Sequence, residues 1–140
     1  FRSLYEAPAN AFVAQFIGEN NRLLGTVRSL QRELCEVYVE GGIIRAVAAN
    51  VAGPGARTTL SLRPERVVLG EGGQAFANRF PGRVEELIYH GDHIRARMAL
   101  LGHDDFIVKV PNRAGHVDLR VGETIDVAWR PEDCRALDAP

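Results

Sequence analysis

The sequence predicts an all-β fold, a small β-barrel built from two repeated halves and preceded by one short N-terminal α-helix. Three observations predict it: apolar residues alternate with period two over most of the chain, glycine-containing turns separate successive runs, and two motifs recur at long, fixed spacings. Alternation of this kind places apolar side chains on one face of a strand, so each run reads as half-buried. A chain of 140 residues can bury about two thirds of the surface it exposes when unfolded, enough for a core without disulfide or metal staples.

The elements follow in order. Pro8 suits the first turn of a helix, where its missing N–H costs nothing, and Phe12, Val13, Phe16 and Ile17 then share one face before Gly18 ends it. A helix is therefore expected over residues 8–17. From Leu23 onward the period becomes two: Cys35, Val37 and Val39 alternate with Glu36, Tyr38 and Glu40, and Ile94, Ala96, Met98 and Leu100 alternate with Arg95, Arg97 and Ala99. Phe106, Val108 and Val110, then Ile125, Val127 and Trp129, continue the pattern. Gly41-Gly42 and Gly102-His103-Asp104 fall where hairpin turns belong. Residues 50–58 and 70–78 are rich in glycine or proline and lack periodicity; the first reads as a loop and the second as the joint between halves.

Asn21-Arg22-x-x-Gly25-x-Val27-x-x-Leu30 recurs 57 positions later as Asn78-Arg79-x-x-Gly82-x-Val84-x-x-Leu87. Leu60-Ser61-Leu62-Arg63-Pro64-Glu65 recurs 67 positions later as Val127-Ala128-Trp129-Arg130-Pro131-Glu132. Each half, about 20–70 and 78–138, thus ends a strand in Arg-Pro-Glu. In both copies the alternation slips between the valine and the leucine three residues on, as it does when a β-bulge bends a long strand to serve two edges of a small barrel. Proline stops a ladder, so Arg-Pro-Glu reads as a corner, its arginine and glutamate placed to pair.

Composition removes several functions. With 17 basic and 18 acidic residues the net charge is −1, which gives no general attraction to phosphate backbones. Two cysteines, Cys35 and Cys134, are too few for a disulfide framework, and a reduced, cytosolic setting is expected. Apolar stretches are a few residues long and the opening residues do not read as a charged-then-apolar leader, so neither a membrane-spanning helix nor a signal peptide is expected. The one methionine is Met98 and the chain opens Phe1-Arg2-Ser3, so it is expected to be a piece of a longer protein.

Candidate chemistry is sparse. His90, Asp92 and His93, with His103, Asp104 and Asp105 one hairpin away, are metal-ligating types, but they sit where the chain must turn and read as solvated turn residues. No metal site is expected. Cys35 alternates inward and Cys134 follows two acids that raise a thiol pKa, so neither reads as a nucleophile, and no catalytic residue is expected. A phosphate loop needs Gly-Lys-Ser/Thr, whereas the single lysine, Lys109, lies between Val108 and Val110; no cofactor is expected on this chain. Barrels of this size can bind oligonucleotides on exposed aromatics, but only Tyr38 and Tyr89 are candidates outside, so no nucleic acid is expected.

Tyr5-Glu6-x-Pro8-x-x-x-Phe12-Val13-Ala14-x-Phe16-Ile17-Gly18-x-x-Asn21, then Leu62-Arg63-Pro64-Glu65, then Gly82-x-Val84-x-x-x-Ile88-Tyr89-x-Gly91, resemble the C-terminal region of ABC-importer ATP-binding subunits, most closely the spermidine/putrescine type. The resemblance implies that residues 1–19 are the tail of the ATP-binding domain and 20–140 a TOBE regulatory domain, an OB-like barrel of paired half-motifs. It implies an intact subunit that couples ATP hydrolysis to solute uptake, polyamine first, with ATP and Mg in the missing N-terminal domain. Implied partners are a second copy and the permease subunits, at the inner face of the membrane. Interface or regulatory candidates are Asn21, Arg22, Arg63, Glu65, Asn78, Arg79, Arg130 and Glu132, with Phe12, Val13, Phe16 and Ile17 as a face docking on the ATPase domain or a second copy. Related domains bind oxyanions such as molybdate near Asn21-Arg22 or Asn78-Arg79, but the order of Arg and Asn differs here and no lysine is near. An oxyanion sensor or an OB-type nucleic-acid module are the alternatives.

Overall fold

The computed structural model describes residues 20–112 and 118–138. The helix expected over 8–17, with Phe12, Val13, Phe16 and Ile17, lies outside the described residues. The described chain is all β: β1 (Asn21–Gln31), β2 (Leu34–Val39), β3 (Gly42–Asn50), β4 (Arg57–Leu62), β5 (Val68–Leu69), β6 (Asn78–Tyr89), β7 (His93–Leu100), β8 (His103–Pro111), β9 (Thr124–Trp129) and β10 (Cys134–Asp138). They form two compact units, one running to Arg63 and resuming at Arg130, the other Pro64–Trp129.

In the first unit a closed barrel runs β1-β2-β3-β10-β4. β10 closes it, antiparallel to β4 and parallel to β3. Leu23, Val27, Val37, Ile44, Leu60 and Leu62 fill it, all nearly inaccessible. β1 serves two neighbours: Asn21–Thr26 pair with β4, Thr26–Gln31 with β2, and the register shifts between Val27 and Ser29. That is the bulge the slipped alternation predicts. Glycine is required just before it, because a Cβ on Gly25 would stand 2.4 Å from the Tyr38 carbonyl oxygen and 2.5 Å from Val37 Cγ1.

The second unit repeats the plan as a sheet ordered β5-β9-β6-β7-β8. β6 pairs with β9 over 78–83 and with β7 over 83–89, and its register shifts between Val84 and Glu86, 57 positions beyond the first bulge. Trp129 and Phe106 centre the core, with ring centroids 5.7 Å apart, and Phe80 packs on Trp129 at 5.6 Å. Leu101 and Gly102 join β7 to β8 with φ of 51° and 78°, the two left-handed residues that a tight hairpin of matching twist needs.

The units do not follow the sequence halves. Each Arg-Pro-Glu leads into a single 3-10 turn, Pro64–Arg66 and Pro131–Asp133, and at each the chain passes into the other unit. Consequently β5, although it follows β4, pairs with β9, and β10, although it follows β9, pairs with β3 and β4. The halves exchange their fifth strands. Hydrogen-bonded pairing rewards whichever edge is available, and proline at the corner prevents β4 and β9 from simply continuing.

Candidate functional site

The repeated Asn-Arg opens the long first strand of each unit. Asn21 and Asn78, flagged as candidate contact residues, are 5% and 0% exposed. They stand opposite Leu62 and Trp129 at the starts of β1 and β6, and each is partnered. A buried amide without partners would be costly, and each of these asparagines has an interaction of its own. Arg22 and Arg79 point the other way and are exposed. Arg79 forks onto Asp126, with Nε and Nη2 at 2.9 and 2.8 Å from Oδ2. Arg22 lies opposite Ser61, whose hydroxyl accepts from the Asn20 amide at 3.1 Å.

Arg63, Glu65, Arg130 and Glu132 are exposed at the two corners. Within the second corner Asp133 N–H donates to the Arg130 carbonyl at 3.0 Å, closing the turn. Among the described residues no ion pair joins Arg63, Glu65 or Glu132 to a neighbour, and Arg130 has a partner.

Sequence reasoning missed a repeated clamp on the bulge. Val27 N–H donates to the Ala56 carbonyl and Gly55 N–H to the Val27 carbonyl, both at 2.8 Å. Val84 N–H donates likewise to Glu123 at 2.9 Å, and Gly122 N–H to Val84 at 2.7 Å. Gly55 and Gly122 hold φ of 90° and 93°, a region open to glycine at little cost. The signal was present: these glycines are 67 positions apart, the spacing of the Arg-Pro-Glu repeat.

The histidine turn joins β6 to β7. His93 Nδ1 lies 2.8 Å from Asp92 Oδ1, and the His90 and His93 rings stack with centroids 4.6 Å apart. The hydrogen bond from His93 holds the Asp92 carboxyl below its usual range. Among the described residues no three His, Cys, Asp or Glu converge as a metal site. Cys35 and Cys134 are both buried and not joined in a disulfide.

Shallow pockets lie beside β1 and β2 in the first unit and beside β9 in the second. One of about 370 Å³ is lined by Ser29, Gln31, Leu34, Cys35, Glu36, Arg45 and Pro131. Another of about 300 Å³ borders Asp126 in the second unit. Among the described residues no helix is long and apolar enough to cross a membrane.

Fold and site together define an all-β domain of two compact units, one a closed barrel and the other a five-stranded sheet among the described residues. The chain belongs to the TOBE domain family, whose model matches residues 60–137, more than half of its length. It is 34% identical over 138 residues to the spermidine/putrescine import ATP-binding protein PotA of Rubrobacter xylanophilus, covering 96% of this chain and 36% of that protein. With the protein of the same name from Pseudomonas aeruginosa (strain UCBPP-PA14) it shares 34% over 133 residues, 91% of this chain and 37% of that protein. The chain thus spans little more than a third of the length of these relatives. Among solved structures, the cytoplasmic molybdate-binding protein ModG shares the fold, with a TM-score of 0.70 over 86% of this chain and 96% of that chain, at 18% identity.

Proposed function

We propose that this chain is the regulatory and dimerisation domain of the ATP-binding subunit of an ABC importer, the intact subunit coupling ATP hydrolysis to the uptake of a polyamine. The observation that carries the reading is a match along 96% of the chain to a spermidine/putrescine import ATP-binding protein. ATP and Mg belong to a domain outside this chain, and the partners are a second copy and the permease subunits at the cytoplasmic face of the membrane. The domain itself performs no chemistry, and the isolated chain is expected to give no saturable magnesium-ATP isotherm in calorimetry.

Uptake tests the transport reading. In a host lacking its own polyamine import, the intact subunit with its permease and binding protein should restore spermidine uptake. Restoration of iron or sugar uptake instead would overturn the choice of solute. Exchanging Arg63 and Arg130 for alanine in that subunit should lower the melting temperature and leave transport control intact, if Arg-Pro-Glu is a corner. Loss of control at an unchanged melting temperature would make it a site.

A second reading, oxyanion binding, is supported by the likeness of fold to a protein described as binding molybdate. It makes Asn21, Arg22, Asn78 and Arg79 the donors, and calorimetry with molybdate on the isolated chain decides it. The burial of both asparagines speaks against it.

A further inference from the structure

We infer that the turn between β6 and β7 is a binding site for a borderline divalent cation, zinc, nickel or copper(II), held by the imidazoles of His90 and His93. From the sequence these residues read as solvated turn positions, and the strand plan does not ask for more. The repeat-related connection from β1 to β2 is Arg32 and Glu33 alone, whereas β6 and β7 are joined by His90, Gly91 and Asp92. A solvated turn has no need to stack two imidazoles, yet the His90 and His93 rings lie with centroids 4.6 Å apart and planes 24° from parallel. The backbone beneath them is braced. His90 N–H donates to the His93 carbonyl at 2.8 Å, and Asn112 donates its N–H to the Asp92 carbonyl at 3.1 Å and its side-chain amide to the His90 carbonyl at 3.5 Å. Both rings therefore start from a fixed turn, which lowers the cost of gathering them on one ion.

Asp92 sets the chemistry of the pair. Its Oδ1 lies 2.8 Å from His93 Nδ1, and an ionised carboxylate only accepts, so the proton stands on Nδ1 and the neutral ring carries its lone pair on Nε2. A carboxylate orients a metal-ligating histidine in this way. Asp92 is thus a positioning residue, and the ligands are His93 Nε2 and one ring nitrogen of His90. Among the described residues no third group of ligating type joins them, so water completes the shell. Metal–nitrogen bonds of about 2.0–2.1 Å place two ligating nitrogens about 3–3.5 Å apart, which near-parallel rings at this spacing reach by a small pivot. Neighbouring charge selects the class of cation. His93 and Arg95 share one face of β7, and Arg95 stands opposite Lys109 on β8. A hard cation such as magnesium or calcium, which needs several oxygen ligands, meets there two positive groups and one carboxylate already bonded to His93. Imidazole nitrogen suits zinc, nickel and copper instead.

Calorimetric titration of the 140-residue chain with zinc chloride and with nickel chloride tests the inference. Each should give a saturable isotherm in the micromolar range, and magnesium and calcium should give none. His90→Ala and His93→Ala should each abolish the isotherm, whereas His103→Ala and His116→Ala should leave it unchanged. Asp92→Asn should raise the dissociation constant about ten-fold. In ring-nitrogen NMR the same substitution should release His93 from the Nδ1-protonated tautomer, a change that a merely structural role would not produce. The turn is at the surface, so the melting temperature of these variants should hold. The unaltered chain gives a second reading that depends on no variant: zinc should shift the His90 and His93 ring signals together and leave those of His103 in place. No isotherm with either metal overturns the inference. So does binding that survives both His90→Ala and His93→Ala, that is lost instead with His103→Ala or His116→Ala, or that magnesium matches. Affinity and tautomer both indifferent to Asp92→Asn overturn the positioning role of Asp92. All of this is read on the chain alone, so it stands or falls apart from the transport reading.

Discussion

The two units share a strand plan and a bulge, yet one closes into a barrel and the other remains an open five-stranded sheet among the described residues. The difference lies in the exchanged fifth strand. β10 is five residues long and reaches both β4 and β3. β5 is two residues long and pairs only with β9 before Gly70, at φ 78°, turns the chain into the 3-10 segment Gly70–Gly73. That segment is pressed onto β9, since a Cβ on Gly73 would stand 2.4 Å from Ala128 Cβ. Closure of a small barrel is thus decided by where one glycine stops a ladder, because a strand must be long enough to hydrogen-bond on both sides.

The units also fill their cores differently, and the largest expected effect tests that. Leu62 and Trp129 occupy repeat-related positions and are both essentially inaccessible. Trp129→Ala should lose about 3–5 kcal/mol, against about 2–4 for Leu62→Ala, because the second unit centres its aromatic stack on the indole. Chemical denaturation reads both, and a smaller loss at Trp129 would mean that the second unit's core tolerates collapse.

The bends come next. At Gly25 the obstacle to a side chain is a backbone carbonyl, whereas at Gly82 it is Val127 Cγ2 at 2.7 Å and Met98 Cε at 3.3 Å. Side chains can yield and a strand carbonyl cannot without moving the ladder. Gly25→Ala should therefore cost about 3 kcal/mol and Gly82→Ala about 1, within the range for overpacked sites. Equal losses would show that the second bend is as rigid as the first.

Smaller effects separate the surface arginines. Arg79→Ala removes the fork to Asp126 and should cost about 0.5 kcal/mol, diminishing in high salt, since both side chains are about two-fifths exposed. Arg22→Ala, whose repeat-related strand offers Thr59 in place of Asp126, should change stability by less than that and show no salt dependence. A thermal-melt series across ionic strength distinguishes them.

The smallest effect belongs to the loop His90–His93, which has no counterpart in the two-residue turn after β1. The Asp92 carboxyl is held low chiefly by the hydrogen bond from His93, aided by charge on His93. A lowered carboxyl contributes stability that is present above the ordinary aspartate range and is lost as pH falls through the lowered value. Carboxyl NMR titration should show Asp92 returning to the ordinary range in His93→Ala. An unchanged titration would remove His93 as the cause.

The fold was legible wherever the determinant was local. Period-two runs gave β2, β7, β8 and β9, and the slip after Val27 and Val84 gave both bulges, because a bulge changes which side chains can face the core. The candidate sites were less legible. Asn21 and Asn78 look like exposed polar residues in a list of letters, yet they are 5% and 0% exposed, and burial depends on what the neighbouring strands place over them. The clamp from Gly55 and Gly122 onto the bulge valines escaped notice because a loop's hydrogen-bond partner is not written beside it.

By itself the sequence determined the all-β class, the duplicated strand–bulge–corner unit and the family resemblance, since these rest on side-chain period, on glycine and proline backbone limits, and on fixed spacings. Only the tertiary structure decided that the two fifth strands change places, that one unit closes and the other does not, and which repeated polar residues are buried. Arg-Pro-Glu reads the same at both corners and specifies a stop. Which edge receives the strand that follows is a pairing between distant segments, settled by the hydrogen bonds and apolar surface that each edge offers once the sheets exist.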